Sequence, residues 1–231
     1  MYKRQLYDTY GFPLDLTLLI LKEQGMTLDQ AGFDAEMEAQ KQRARNAAAV
    51  ETTDWVELRP GEQEFTGYDE SENGCHILRY RHVRQKGREY YQIILDRTPF
   101  YAEMGGQVAD HGYLTSGTAN LKVNQVKKTP KGFYVHTCTL LDGTIRVGDT
   151  VTAAVDEQRR ASICRNHTAT HLMQKALREV LGEHVHQAGS YQDDKITRFD
   201  FTHFNAVTPE ELVEVEKRVN EKIFASLPVT I

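Results

Sequence analysis

The sequence predicts an α+β protein in which helices come first, a small β-barrel second and a mixed α/β piece last. Three observations point that way. The hydrophobic pattern changes period twice, near Pro60 and near Asp156. Between those points, short β-rich runs alternate with glycine-containing turns. Outside them, apolar residues recur at helical spacing. The chain has 231 residues, 40% hydrophobic and 26% charged, enough apolar material for a real core. The expected parts are residues 1–60, 61–157 and 158–231.

In the first part, Pro13 suits an opening helical turn, Leu14, Leu18 and Leu21 follow one face, and Gly25 fits the stop. A second helix is expected over about 34–49. It is rich in Ala, Glu, Gln and Arg, with few large apolar residues, and so should be exposed. Thr52, Thr53 and Pro60-Gly61 mark the boundary.

In the second part, strands are expected over 75–83, 89–95, 119–126, 133–140 and 150–155. Lys86-Gly87, Pro130-Lys131-Gly132, Asp142-Gly143 and Gly148-Asp149 supply turns between them. Strands this short at this spacing fit a small barrel or sandwich. In the third part, a long helix should run over about 157–181, with Gly182 just past its end. A strand over 196–201 alternates apolar and polar residues. Thr208-Pro209-Glu210-Glu211 is a capping box with proline at the first helical position, and Leu212, Val215, Val219 and Ile223 give the helix that follows one apolar stripe.

Composition excludes several classes. No apolar run approaches the ~18–20 residues of a membrane span. The best stretch, 14–21, is interrupted by Asp15 and Thr17. Met1-Tyr2-Lys3-Arg4-Gln5 leads into no signal-peptide core, so a cytoplasmic protein without a membrane partner is expected. A net charge of −5 is not the footprint of a protein that grips nucleic acid by bulk charge, so any such contact must be local. Cys75, Cys138 and Cys164 are odd in number and form no C-x-x-C, which fits a reducing compartment and buried thiols.

The most informative segment is Asn166-His167-Thr168-Ala169-Thr170-His171. On a helix, His167 and His171 lie one turn apart on one face and can share a Zn²⁺. An ordinary histidine pair has about the same claim from spacing alone. Thr168 stands where a zinc protease would need its glutamate base. Cys164 lies within reach along the helix, but three ligands from consecutive turns of one straight helix make a strained tetrahedron, and a small core residue is its ordinary role. His184 and His186 are expected to flank a loop or strand.

Two further segments stand out. In Thr98-Pro99-Phe100-Tyr101-Ala102-Glu103-Met104-Gly105-Gly106-Gln107, the paired glycines fit either a tight connection between strands or a loop offering backbone N–H groups, or Gln107, to a ligand. Arg79, Arg81, His82, Arg84, Lys86 and Arg88 form a basic stretch, read as a solvated strand and turn, with phosphate contact as the lesser alternative.

Taken together, these segments resemble the alanyl-tRNA synthetase family. Leu6-Tyr7-Asp8-Thr9-Tyr10-Gly11-Phe12-Pro13 is similar to the end of that family's tRNA-recognition region. The run from Leu95-Asp96-Arg97-Thr98 through Gly105-Gly106-Gln107 resembles its β-barrel. The histidine motif and Arg198-Phe199-Asp200-Phe201 resemble its editing domain. The motifs occur in the family's order and span nearly the whole chain.

The resemblance implies a parent ligase that uses ATP to attach alanine to tRNA. It also implies that this stretch belongs to the region that hydrolyses tRNA mischarged with serine or glycine. It assigns zinc binding to His167 and His171, and the lining of the editing pocket to Thr170 and Gln187. The fold expectation becomes N-terminal helices, a β-barrel and the first part of an editing domain. The aminoacylation domain is expected to be missing. So is the family's second pair of zinc ligands, a Cys and a His, which would fall after Ile231 beyond a strand expected to begin at Leu227. Two of four protein ligands should then bind zinc weakly and support little hydrolysis. A non-catalytic tRNA-binding module and an unrelated zinc hydrolase are the competing readings.

Overall fold

The computed structural model describes residues 13–47, 50–85, 87–146 and 148–228. The chain falls into two compact units: one runs to Glu51 and includes Arg84–Arg88, and the other holds Thr52–Val83 and everything from Glu89 onward. The segment 6–12 and the end of the strand expected from Leu227 lie outside the described residues.

In the first unit, Pro13 caps helix α1 (Leu14–Glu23), and its carbonyl accepts from the Thr17 backbone N–H and hydroxyl. The helix ends where Gly25 takes φ +65°, with Met26 N–H on the Leu21 carbonyl and Gly25 N–H on that of Lys22. That pair of bonds is the Schellman closure glycine permits. No α1 side chain is buried. Helix α2 (Gln30–Ala47) begins four residues earlier than the sequence suggested, behind Asp29, whose carboxylate accepts from Gly32 N–H.

Ten short to long strands follow: β1 (Val50–Thr52), β2 (Val56–Glu57), β3 (Glu64–Phe65), β4 (Glu72–Gln85), β5 (Arg88–Leu95), β6 (Arg97–Thr98), β7 (Gly112–Thr115), β8 (Ala119–Lys128), β9 (Tyr134–Gly143) and β10 (Thr150–Val155). Six of them run β4-β10-β7-β8-β9-β5, and β5 pairs back with β4, closing a barrel. Inward residues alternate along each strand, and β8 shows how the pattern survives an irregularity. Leu121 and Val123 point inward. A bulge at Asn124 then adds one residue, so that Val126 rather than Gln125 is buried next. The core is filled by Ile93, Leu95, Phe100, Leu114, Leu121, Val123, Val126 and Cys138, with Val151 and Ala153 from β10. Strand β7 had no sequence signal of its own. It is four residues long and exists because its neighbours β8 and β10 pair with it on both sides.

Helix α3 (Glu157–Leu181) starts at Asp156, whose carboxylate accepts from Arg159 N–H, and ends at Gly182, as its pattern predicts. Two arginines in its first turn fasten it to the barrel. Arg159 donates to the Ala109 carbonyl at 2.8 Å. Arg160 donates to the Gly67 carbonyl at 3.0 Å, to the Pro99 carbonyl, and through Nε and Nη2 to the buried carboxylate of Asp110, which in turn accepts from Tyr101 N–H.

A hairpin of β11 (Gln187–Gln192) and β12 (Thr197–Phe201) lies against α3, and helix α4 (Pro209–Phe224) packs behind with its capping box formed. Ala176, Leu177, Val185 and Val215 make the small core here. The α4 stripe is only partly used: Val215 is buried, while Leu212 and Ile223 are exposed. Among the described residues no helix is long and apolar enough to cross a membrane.

Candidate functional site

The histidine motif lies on the third to fifth turns of α3. His167 and His171 stack with ring centroids 5.2 Å apart and planes 18° from parallel, as the one-turn spacing requires. His167 is half-buried and His171 exposed. Burial, and then the neighbouring His171, hold His167 below the usual imidazole pKa, favouring the neutral form that a metal requires. The Nδ1 of His167 lies 2.7 Å from Oε1 of Gln107.

Gln107 reaches the helix from the glycine loop of the barrel. Gly105 and Gly106 take φ +63° and +84°. A Cβ on Gly106 would sit 2.3 Å from the Ser190 hydroxyl oxygen, so the loop approaches β11 as only glycine allows. Gln107 and Met104 exchange backbone hydrogen bonds, Gln192 N–H donates to the Gly106 carbonyl, and Val108 N–H donates to that of Gln192. The loop's N–H at 107 is thus used in closing the loop on Met104, and that at 108 in joining barrel to hairpin. The tight connection between strands is what the loop forms, and the buried side chain of Gln107 is turned to His167.

Gln107 and Gln192 form a bridge, and Gln192 stands opposite Thr197 across the hairpin. Residues paired in this way share a face. Gln107 touches His167, and Thr197 touches α3 at Thr170 and Asn166, so the whole row faces the helix. Gln192 between them is fully buried, and among the described residues neither of its side-chain polar atoms has a hydrogen-bond partner.

Thr170 is buried beneath the helix. Its hydroxyl donates to the Asn166 carbonyl at 2.9 Å and lies 2.8 Å from the Thr197 hydroxyl. It therefore faces the hairpin, about 100° around the helix from His171. Gln187 is exposed at the start of β11, beside a bulge at Ala188. The structure thus brings His167 and His171 together directly, ties Thr170 to β12, and leaves Gln187 on the hairpin surface.

Cys164 is exposed, not the small core residue expected. Ile163 takes the buried position of that turn, which turns Cys164 outward. Cys75 and Cys138 are buried as expected, and burial pushes the Cys75 thiol up to about 12. His184 and His203 face each other, Nε2 to Nδ1, at 2.8 Å near the hairpin ends. Sequence reasoning missed both the contact of Gln107 with His167 and the buried Gln192.

A family model described as tRNA synthetases class II (A) matches residues 3–159. The chain belongs to this family. It is 52% identical to alanine–tRNA ligase of Porphyromonas gingivalis over 96% of its own length and 25% of the relative's. With that of Bacteroides fragilis the identity is 53% over 97% and 25%. With that of Bacillus velezensis it is 46% over 98% and 27%. The chain thus spans about a quarter of the length of these ligases. The family model ends at Arg159, in the first turn of α3, whereas the similarity to the ligases runs on through the histidine pair.

Proposed function

We propose that this chain is the part of an alanine–tRNA ligase that hydrolyses tRNA mischarged with serine or glycine. Residues 1–60 would be its helical part, 61–157 its barrel, and 158–231 the first portion of its editing domain. ATP-dependent alanylation of tRNA is assigned to the whole ligase, not to this stretch. The observation that carries the reading is the similarity to alanine–tRNA ligases along almost the entire chain, joined to a histidine pair presented on a helix clamped to the barrel.

His167 and His171 are the proposed zinc ligands. The donor set fits as half of a tetrahedral site: two stacked imidazoles, one with its second nitrogen already held by a neutral amide, as metal-binding histidines usually are. No third His, Cys, Asp or Glu joins them among the described residues. Bound zinc would supply positive charge to an ester carbonyl or a water. Thr170 and Gln187 are proposed to line the pocket for the amino acid. Thr170 does so from the helix underside, where its bond to Thr197 also fixes the spacing between helix and hairpin. The partner is the acceptor end of tRNA.

The test compares this chain with one extended through an added Cys and His. Zinc retained after dialysis and serine released from seryl-tRNA are measured on both. The extended chain should retain equimolar zinc and release serine, and His167→Ala in it should abolish both. tRNA binding without serine release by either chain would make this a holding module instead.

A further inference from the structure

We propose that Gln107 is a positioning residue for the histidine pair: its carboxamide oxygen accepts the Nδ1 hydrogen of His167 and fixes the tautomer whose Nε2 carries the free lone pair. The use of that lone pair for zinc rests on the reading above, whereas the tautomer itself does not.

The chemistry is one of exclusion. A neutral imidazole has a single N–H. With Oε1 of Gln107 at 2.7 Å from Nδ1, that hydrogen belongs on Nδ1, and Nε2 is left as an acceptor. In water a free imidazole prefers the opposite arrangement, so the contact must hold its geometry to matter.

Both partners are held. The backbone of Gln107 is bonded in both directions to Met104, and its neighbours on either side are bonded to Gln192. The close seat of Gly106 on Ser190 leaves the loop no room to shift toward the hairpin. On the helix side, Arg159 and Arg160 fasten the first turn to the barrel, and Asn166 donates through Nδ2 to the Asp193 carbonyl at 2.7 Å. His167 lies between Asn166 and Thr170, which is bonded to Thr197, with one ring face against His171.

The residue type also matters. A glutamate at 107 would place a negative charge on the ring and favour the imidazolium, which has no free lone pair. A neutral amide orients the ring without inviting the second proton. Groups that hold the other nitrogen of a metal-binding histidine in this way typically change metal affinity by about 10–100-fold when removed.

The experiment uses the 231-residue chain with ring-labelled histidine, free of metal, at a pH where imidazoles are neutral. Nitrogen shifts report the tautomer of each ring. Wild-type His167 should be the Nδ1–H form, and Gln107→Met should return it to mainly Nε2–H, with His171 unchanged. Gln107→Asn, one methylene shorter, should behave like Gln107→Met while retaining an amide. Titration with zinc alone, followed at the same resonances, should be about 10–100-fold weaker in Gln107→Met than in wild type.

An Nε2–H form of His167 in the wild-type chain would overturn the proposal without needing any variant. So would a tautomer that Gln107→Met does not move. A wild-type Nδ1–H form that Gln107→Met releases, with no zinc response in wild type or in the extended chain, would uphold the positioning role and sink the zinc reading instead.

Discussion

The barrel and the helix–hairpin piece solve the same packing problem to different degrees. Among the described residues, every strand of the barrel's closed ring has two neighbours, sixteen buried residues form one core, and the buried His136 has both ring nitrogens bonded. In the helix–hairpin piece, again among the described residues, the buried cluster has four members, Phe204 and Phe224 are exposed, and Gln192 is buried with both polar atoms unpartnered. The difference teaches where rigidity comes from. The candidate site is carried on the less saturated element, and the barrel lends it a fixed position through Arg159, Arg160 and Gln107.

The largest effect should come from breaking that loan. Arg160→Ala would leave the carboxylate of Asp110, 1% exposed, without its cation. Removing one member of a buried pair costs about 3–5 kcal/mol. Chemical denaturation should show a loss of that order. It should also show helix α3 melting ahead of the barrel, whereas the wild-type chain should unfold its second unit in one transition.

A pH titration tests the barrel's own saturation. His136 is fully buried, with the Ile93 carbonyl at Nδ1 and the Thr98 hydroxyl at Nε2, and burial pushes its pKa down to about 4 despite the Ile93 bond. The unfolded histidine titrates near 6.5. Between those values the unfolded state binds the proton that the folded state refuses. The contribution is therefore complete above about pH 6.5, falls with pH through that window, and stops falling below about 4. At pH 5 the loss should be about 2 kcal/mol relative to pH 7. His136→Gln should flatten that part of the stability curve, and denaturant midpoints taken across the window measure it.

The smallest effect tests the looser region. Gln192→Met keeps the volume and removes two unpartnered polar atoms, so it should stabilise the chain by about 1–2 kcal/mol. The same change at Gln107 should not stabilise, because Gln107 makes its bond. The two midpoints, measured side by side, separate a buried amide that is used from one that is not.

Much of the fold was legible in advance because it is local. The capping box at Thr208, the limits of α3 and the closure at Gly25 depend on residues within one or two turns. The β-rich runs were visible because a barrel wall has one wet and one dry face. β7 and β11 were not visible: one is four residues long and the other reads Gln-Ala-Gly-Ser-Tyr-Gln, with no alternation to detect. Of the candidate site, the helical spacing of His167 and His171 was legible. The roles of Thr170 and Gln107 in the fold were not, because each depends on an element far away in sequence. Thr170 meets Thr197 across 27 residues, and Gln107 meets His167 across 60.

The sequence by itself determined the fold class, the long helix and its caps, the shared face of the two histidines, and the motifs that mark a tRNA synthetase. The helix, its caps and the shared face follow from spacing and local hydrogen bonding, which operate within a few residues, whereas the motifs speak only through their resemblance to a known family. Only the tertiary structure decided that the glycine loop docks on the hairpin, that Gln107 sets the ring of His167, and that Cys164 faces outward. Those outcomes depend on which surfaces meet once the barrel has closed, and no local pattern encodes the partner of a side chain that bonds across the fold.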